Sequence, residues 1–203
     1  MLSRVVQALW NQNNEKIVAN SVHNCHAHGV DSIVLVDAPE QRIRLFSATK
    51  SHTLWKNSGE HTYSVAYHPH HCDVTLIGVT GELYNIVIEQ SDKGNILLSK
   101  FEYKSQFNGK GGFKFDTKER FKQPSMSNIW AGKFRSMKAE DIHTIYIPKG
   151  KEASWIVVEG NENPEYESVC YSNDDLECFS FKGMYTNMNE YEVKKTLKKS
   201  MLL

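Results

Sequence analysis

Apolar positions in this chain recur with two different periods, and the change of period divides the sequence. Leu2 to Trp10 sets Val5, Val6, Leu9 and Trp10 at helical spacing, and the polar run Asn11 to Asn14 predicts the end of a short amphipathic helix. From Asp31 to Glu159 the texture becomes a series of short runs: "SIVLVD", "RIRLFS", "YSVAYH", "DVTLIGV", "LYNIVIE", "NILLSKFEY", "IHTIYI" and "SWIVVEG". β-Branched and aromatic residues suit a pleated, half-buried surface, so each run predicts a strand. The connections "NSGEH", "TGE" and "SDKGN" are short and favour antiparallel neighbours. Residues 106–128, "QFNGKGGFKFDTKERFKQPSMSN", lack a sustained period and are expected to form a long loop or lid. Helix returns at the end of the chain. Asn187 and Glu190 resemble a capping box, Tyr191, Val193, Leu197 and Met201 can share a stripe, and Lys194, Lys195, Lys198 and Lys199 suit the negative end of a helix dipole. The expected fold class is all-β, a sandwich or closed barrel with short N- and C-terminal helices.

A length of 203 residues supports a hydrophobic core without disulfides, and the expectation is a single domain over 1–203 with a barrel core at about 31–160. Basic and acidic side chains balance at 24 each. Neither nucleic acid nor an anionic membrane is therefore an expected partner. Cys25, Cys72, Cys170 and Cys178 are scattered, without the close pairs of a zinc ribbon or redox site, which suits a reduced intracellular protein. The first ten residues do not read as a secretory signal, and no run approaches the ~20 apolar residues of a membrane span. The expected location is cytoplasmic.

Candidate chemistry gathers in "YHPHHCDVTL", residues 67–76. On a strand, alternate residues share a face, so His68 and His70 oppose His71 and Asp73. Two rival metal sets follow. His68-x-His70 can aim two imidazoles at one ion, while His71-x-Asp73 can begin a facial triad of the non-haem iron kind. His143, in the strand-like "EDIHTIYIPKG", is the best third ligand for either. The bland alternative is a strand end with solvated histidines. A second group, His23, Cys25, His26 and His28, reads as a loop before the first clear strand. "GKGG" at 109–112 lacks the setting of a phosphate loop, and no serine sits in a nucleophile elbow. Tyr63, Tyr67, Tyr84, Tyr146 and Trp155 read as core or cavity wall rather than base-stacking platforms.

His68, His70 and the following Gly81 resemble the first motif of the cupin family of double-stranded β-helix proteins, with Val74 or Thr75 where the family carries Glu. Pro148-Lys149-Gly150 is similar to the turn of the second motif; Ala153 or Ser154 stands where its histidine would follow, and His143 precedes the turn. The resemblance covers about 31–160 and implies a cupin-like jelly-roll barrel. It implies one divalent metal, Fe, Mn, Ni or Zn, held by His68, His70 and His143 with His71 and Asp73 as alternative or supporting groups. A metal-dependent enzyme of oxygenase or isomerase type acting on a small polar molecule is the leading expectation, with Glu82 and Tyr84 as further polar groups near Gly81. Two alternatives stand beside it: a non-catalytic cupin-like module binding a small ligand or partner, and a 2-oxoglutarate-type oxygenase using His71, Asp73, His143 and Lys149 or Lys151. Cupin-like barrels often pair, so a homodimer is also expected from the resemblance.

Overall fold

The computed structural model describes residues 2–27, 29–48, 66–104, 112–148, 150–163, 166, 168–173, 175–177 and 183–203. His28, Tyr63, Lys149, Cys178, the connection "NSGEH" and the first half of "YSVAYH" lie outside the described residues. Along the chain run α1 (Leu2–Ala19), β1 (Val22–His23), β2 (Val30–Ala38), β3 (Gln41–Ala48), β4 (Val74–Ile88), β5 (Ile96–Lys104) and β6 (Gly112–Phe121). After them come β7 (Ser125–Trp130), β8 (Phe134–Met137), β9 (Ile142–Tyr146), β10 (Ala153–Glu159), β11 (Val169–Ser172), β12 (Thr186–Asn187) and α2 (Glu190–Lys199). The mostly-β architecture with a helix at each end is the one the residue pattern predicts.

The larger sheet has the order β12-β1-β2-β3-β10-β4-β7, and β8 and β9 also pair with β4. The smaller has the order β11-β5-β6. β4 is the spine of the larger sheet. Its first half lies between β10 and β8, and its second half between β7 and β9. β7 and β8 therefore act as one interrupted strand on one edge of β4, and β9 and β10 as another on the opposite edge. The interruptions are held by backbone bonds: Gly132 N–H donates to Gly78 O and Gly78 N–H to Lys133 O, both at 2.9 Å. "TGE" is consequently no hairpin. The strand runs through it, with a register shift opposite Ser154 and Trp155 and Gly81 at φ +69°. The shift also reverses which side chains face inward. Before it Val74 and Leu76 enter the inner core; after it Leu83 does so.

Two apolar layers follow from strand alternation. Val30, Phe46, Ala48, Val74, Leu76, Leu83, Trp155 and Val157 pack inside the sheet. Ile33, Leu35, Leu45 and Ile156 face outward and are covered by Val6, Trp10 and Ile17 of α1 and Val193 and Leu197 of α2. α1 outlasts its expected end, because Asn13 breaks helical geometry (φ −138°, ψ 24°) without stopping the chain from resuming the helix to Ala19. The α2 capping box shifts by two residues. Asn187 is committed to β12, and Asn189 takes the cap, accepting from Glu192 N–H at 3.0 Å while its own N–H donates to the Glu192 carboxylate at 2.8 Å. Val193 and Leu197 are buried, but Tyr191 and Met201 are 72% and 77% exposed, so the expected stripe is half as long.

The expected lid at 106–128 is corrected by β6 and β7, which occupy most of it. β6 forms a long ladder with β5. "SDKGN" likewise joins strands of different sheets rather than paired neighbours. Cys25, Cys72 and Cys170 are buried free thiols. Among the described residues no helix is long and apolar enough to cross a membrane.

His23 ties α2 to the sheet. Its Nδ1 lies 2.9 Å from Asp31 and its Nε2 3.4 Å from Glu192. Burial opposes its charged form, but the bonds to the two carboxylates outweigh burial and raise its pKa. A raised folded-state pKa gives stability that is complete below the unfolded value of about 6.5 and is lost as pH rises through the folded value. The stability advantage of wild type over His23→Gln, measured by urea unfolding, therefore shrinks between pH 6 and pH 8. Gly81→Ala should cost about 1–2 kcal/mol or more in the same assay, since a Cβ there meets the Glu152 carbonyl in a left-handed backbone conformation.

Candidate metal centre

The segment carrying the central histidines is fixed by its main chain before its side chains act. Tyr67 exchanges both backbone bonds with Tyr171 of β11, at 3.0 and 2.7 Å, and His68 exchanges both with His143 of β9, at 2.9 and 3.1 Å. Pro69 has no N–H to place. His70 N–H then donates to Ala139 O at 2.9 Å. The chain thus crosses from the smaller sheet to the larger one with His68 and His70 turned to the same side.

On that side they meet His143. One nitrogen from each of the three imidazoles falls within 4.8 Å of the others. Ring centroids are 5.0 Å apart for His68 and His70, 5.1 Å for His68 and His143, and 4.9 Å for His70 and His143. Two rings have their tautomer set by the atom they turn away from the cluster. His68 Nδ1–H donates to Ala66 O at 2.8 Å, and His143 Nδ1–H donates to Asn85 Oδ1 at 2.6 Å. Asn85 is fully buried, and its amide nitrogen donates to the Met137 sulfur at 3.1 Å, which keeps the oxygen toward His143. Both rings therefore present an Nε2 lone pair inward. Such outer partners are the usual means of orienting a metal-ligating histidine.

His70 Nε2 stands 2.7 Å from His143 Nε2. Two lone pairs cannot share that separation, so His70 carries the proton and donates it to His143. Two nitrogens bound to one ion at about 2.1 Å and a right angle would stand about 3.0 Å apart. That pair would hold a single divalent ion after opening by a few tenths of an ångström and losing the shared proton, with His68 within 4.8 Å as the third donor. Burial pushes all three imidazoles below the ordinary histidine range, His70 to about 2, reinforced at His70 and His143 by the neighbouring histidines; at His68 the Ala66 bond works the other way. Neutral imidazole is the ligating form, so the environment holds the rings in the state a metal requires.

The other expected ligands do not join. His71 Nε2 bonds Ser168 Oγ at 2.8 Å on the exposed side. Asp73 accepts from Lys138 Nζ at 2.8 Å and Ala139 N–H at 3.0 Å, and the Lys138 bond, with the Ala139 N–H behind it, lowers its carboxyl pKa. The His71–Asp73–His143 arrangement is thus corrected: the alternation that turns His68 and His70 inward turns these two out. Glu82 and Tyr84 also point away, Tyr84 Oη donating to Glu82 at 3.0 Å, because the β4 register shift reserves the inward places for Leu83 and Asn85.

Two contributors escaped the sequence reading. Asn85 occupies an inward position between apolar neighbours, and a polar residue at such a place is the signal for it. His26, expected in an incidental loop, stacks on His68 with centroids 6.1 Å apart and planes at 23°. Its backbone has a φ of +65°, and the residue is solvent-exposed while its ring packs beside Phe46, His68 and Tyr185. Desolvation of the ring against these neighbours, then the charges of His68 and Arg44, lowers its pKa. Phe46 and Trp155, stacked at 5.5 Å, and Tyr185 complete the adjoining wall.

No protein-family model matches the chain, and no curated protein matches it in sequence. Solved structures do resemble it. A cupin superfamily protein from Desulfitobacterium hafniense is 16% identical with a TM-score of 0.36, the alignment covering 66% of this chain and 78% of that one. Hydroxypropylphosphonic acid epoxidase from S. wedmorenis is 13% identical with a TM-score of 0.41, over 70% of this chain and 56% of the epoxidase. The polyketide cyclase RemF from Streptomyces resistomycificus is 12% identical with a TM-score of 0.44, over 84% and 87%. The likeness is distant, with TM-scores of 0.36 to 0.44, and the chemistry of the site rests on its own residues.

The hydrogen bonds define a directly observable state. Long-range proton–nitrogen NMR spectra of the metal-free protein should show His68 and His143 as Nδ1–H tautomers, with Asn85→Leu disturbing His143 and leaving His68 in place.

Proposed function

We propose that this protein binds one divalent metal through His68, His70 and His143 and uses it as a metal-dependent enzyme on a small polar molecule. The observation that carries the reading is the convergence of three imidazole nitrogens within 4.8 Å, with two of the rings locked by bonds from their far nitrogens. A solvated strand end would need neither the buried Asn85 nor the neutral, desolvated rings. The set contains no carboxylate, so an ion held there keeps its full positive charge; imidazole donors suit Fe, Ni and Zn. A bound metal supplies Lewis acidity or activates a coordinated water.

The residues of this chain perform the remaining tasks. Asn85 holds His143 in register and fixes its proton on the outer nitrogen. Ala66 does the same for His68 through its carbonyl. His68 and His70 keep partial exposure whereas His143 is only 2% exposed, so the open side of the ring lies on the 68–70 segment. A substrate approaches from that side, against His26, Phe46 and Tyr185. Three protein ligands leave coordination positions free, as catalytic rather than structural metal sites do.

The test is metal uptake by untagged protein, followed by calorimetry with Co(II) and Zn(II). Wild type should bind one equivalent, His68→Ala, His70→Ala and His143→Ala should each lose stoichiometric binding, and His71→Ala and Asp73→Ala should retain it. Asn85→Leu should weaken binding by about 10- to 100-fold. Wild type that takes up no metal, or triple-histidine loss without effect, overturns the proposal.

A further inference from the structure

Among the described residues four that are not glycine have a positive φ, and three of them meet beside the histidine cluster: Asn24 (φ 54°), His26 (φ 65°) and Tyr185 (φ 52°). Asparagine tolerates the left-handed backbone. A ring-bearing residue stays in it only where its surroundings hold it there. The same two segments already place glycine at Gly29 (φ 79°) and Gly183 (φ 78°), where the conformation carries no strain. Segments serving only as connections would take glycine at 26 and 185 as well.

What holds these residues is visible in their contacts. The His26 ring lies over His68 with centroids 6.1 Å apart and planes at 23°, and Tyr185 meets it edge-on at 6.3 Å. Phe46 stands 6.0 Å away on another side. Tyr185 is backed by Tyr103, hydroxyl to hydroxyl at 3.3 Å. Asn24 ties the two segments together: its Nδ2–H donates to Gly183 O at 2.8 Å, and its backbone O accepts from Tyr185 N–H at 3.4 Å. The short loop itself is closed by Cys25 N–H to Val30 O at 2.7 Å and Val30 N–H to Ala27 O at 3.2 Å. His26 thus has one side in solvent and the other against a histidine of the cluster. The two best-formed cavities of the described residues, one lined by Arg42 and Glu162 and the other by Phe101 and Phe115, border none of these histidines. With the rings where they stand His143 is only 2% exposed, so a route to its inner nitrogen has to be opened.

We propose that His26 is a gate over the histidine cluster. In the left-handed conformation its ring rests on His68 and the cluster is closed; a flip of the His26 backbone to negative φ swings the ring away. Tyr185 is the stop against which the ring closes. Backbone strain favours the open state and ring packing the closed one, and opposition of the two at a single residue is what brings two states close in free energy. That the opening admits metal and substrate rests on the metal-centre reading; the motion itself does not.

The test uses the metal-free, full-length chain and two readouts. Diethyl pyrocarbonate acylates neutral imidazole, and peptide mass spectrometry follows each histidine, with His71 on the exposed side as internal control. In His26→Ala, which lacks the ring, His68 and His70 should label about 2- to 10-fold faster than in wild type, with His71 unchanged, whereas His26→Phe keeps a ring and should label at the wild-type rate. Amide hydrogen exchange at Cys25 and Val30 reads the strain: His26→Gly, unstrained at this φ, should be protected about fivefold or more over His26→Ala. Unchanged His68 labelling in His26→Ala, or equal protection in the glycine and alanine variants, overturns the gate. Should His26→Ala fail to fold, Tyr185→Leu takes its place in the labelling and His26→Ser in the exchange. A wild type that takes up no cobalt while labelling and exchange follow this order supports the gate and counts against the metal centre alone.

Discussion

Backbone pairing along β4 is the constraint on which the other parts depend. One strand of fifteen residues serves four partners, two at each half, and its neighbours are forced to break where it changes partner. At Gly78 the passing backbone of Trp130 and Ala131 comes so near that a side chain has no room. Between Gly78 and Thr80 the strand shifts register by one residue and turns its faces over. That reversal is what delivers Asn85, rather than Tyr84, to the interior, and with it the acceptor that fixes His143. A one-residue bulge in β4 thus decides the tautomer of a histidine on another strand.

Electrostatics and packing divide the molecule by face. The outer face is closed by α1 and α2 with apolar side chains, and its ion pairs lie at the rim, where surface pairs contribute little to stability. The inner face is apolar toward Leu76 and Val157 and polar around His68, His70 and His143. Burial there suppresses charge on the imidazoles, and bonds to Ala66 and Asn85 supply direction.

Much of this was legible in the residues. Alternation gave β2, β3, β5, β9 and β10 nearly as they stand, and it separated His68 and His70 from His71 and Asp73 correctly. The failures have physical causes. β6 was obscured because Lys114, Asp116, Lys118 and Arg120 alternate with Phe113, Phe115, Thr117, Glu119 and Phe121: the period of two is present, but the charged face and the glycines before it resemble a loop. β4 was divided because "TGE" has turn composition, whereas it follows directly on a bulge within a continuous strand. The α2 cap slipped because Asn187 and Asn189 both precede a glutamate by three residues, and only pairing of β12 with β1 distinguishes them. Asn85 was hidden for another reason: a polar residue within an alternating apolar run is visible, but its partner is distant in sequence.

The bridges at Tyr67 and His68 carry a consequence for how such a site can change. They are made entirely by main-chain groups, to Tyr171 on one sheet and His143 on the other. The path of residues 67–70 is therefore indifferent to which side chains it displays, within the limits of size. The scaffold and the ligand set are separable traits, and drift or selection can exchange donors at 68 and 70, or delete them, while the frame that aimed them persists.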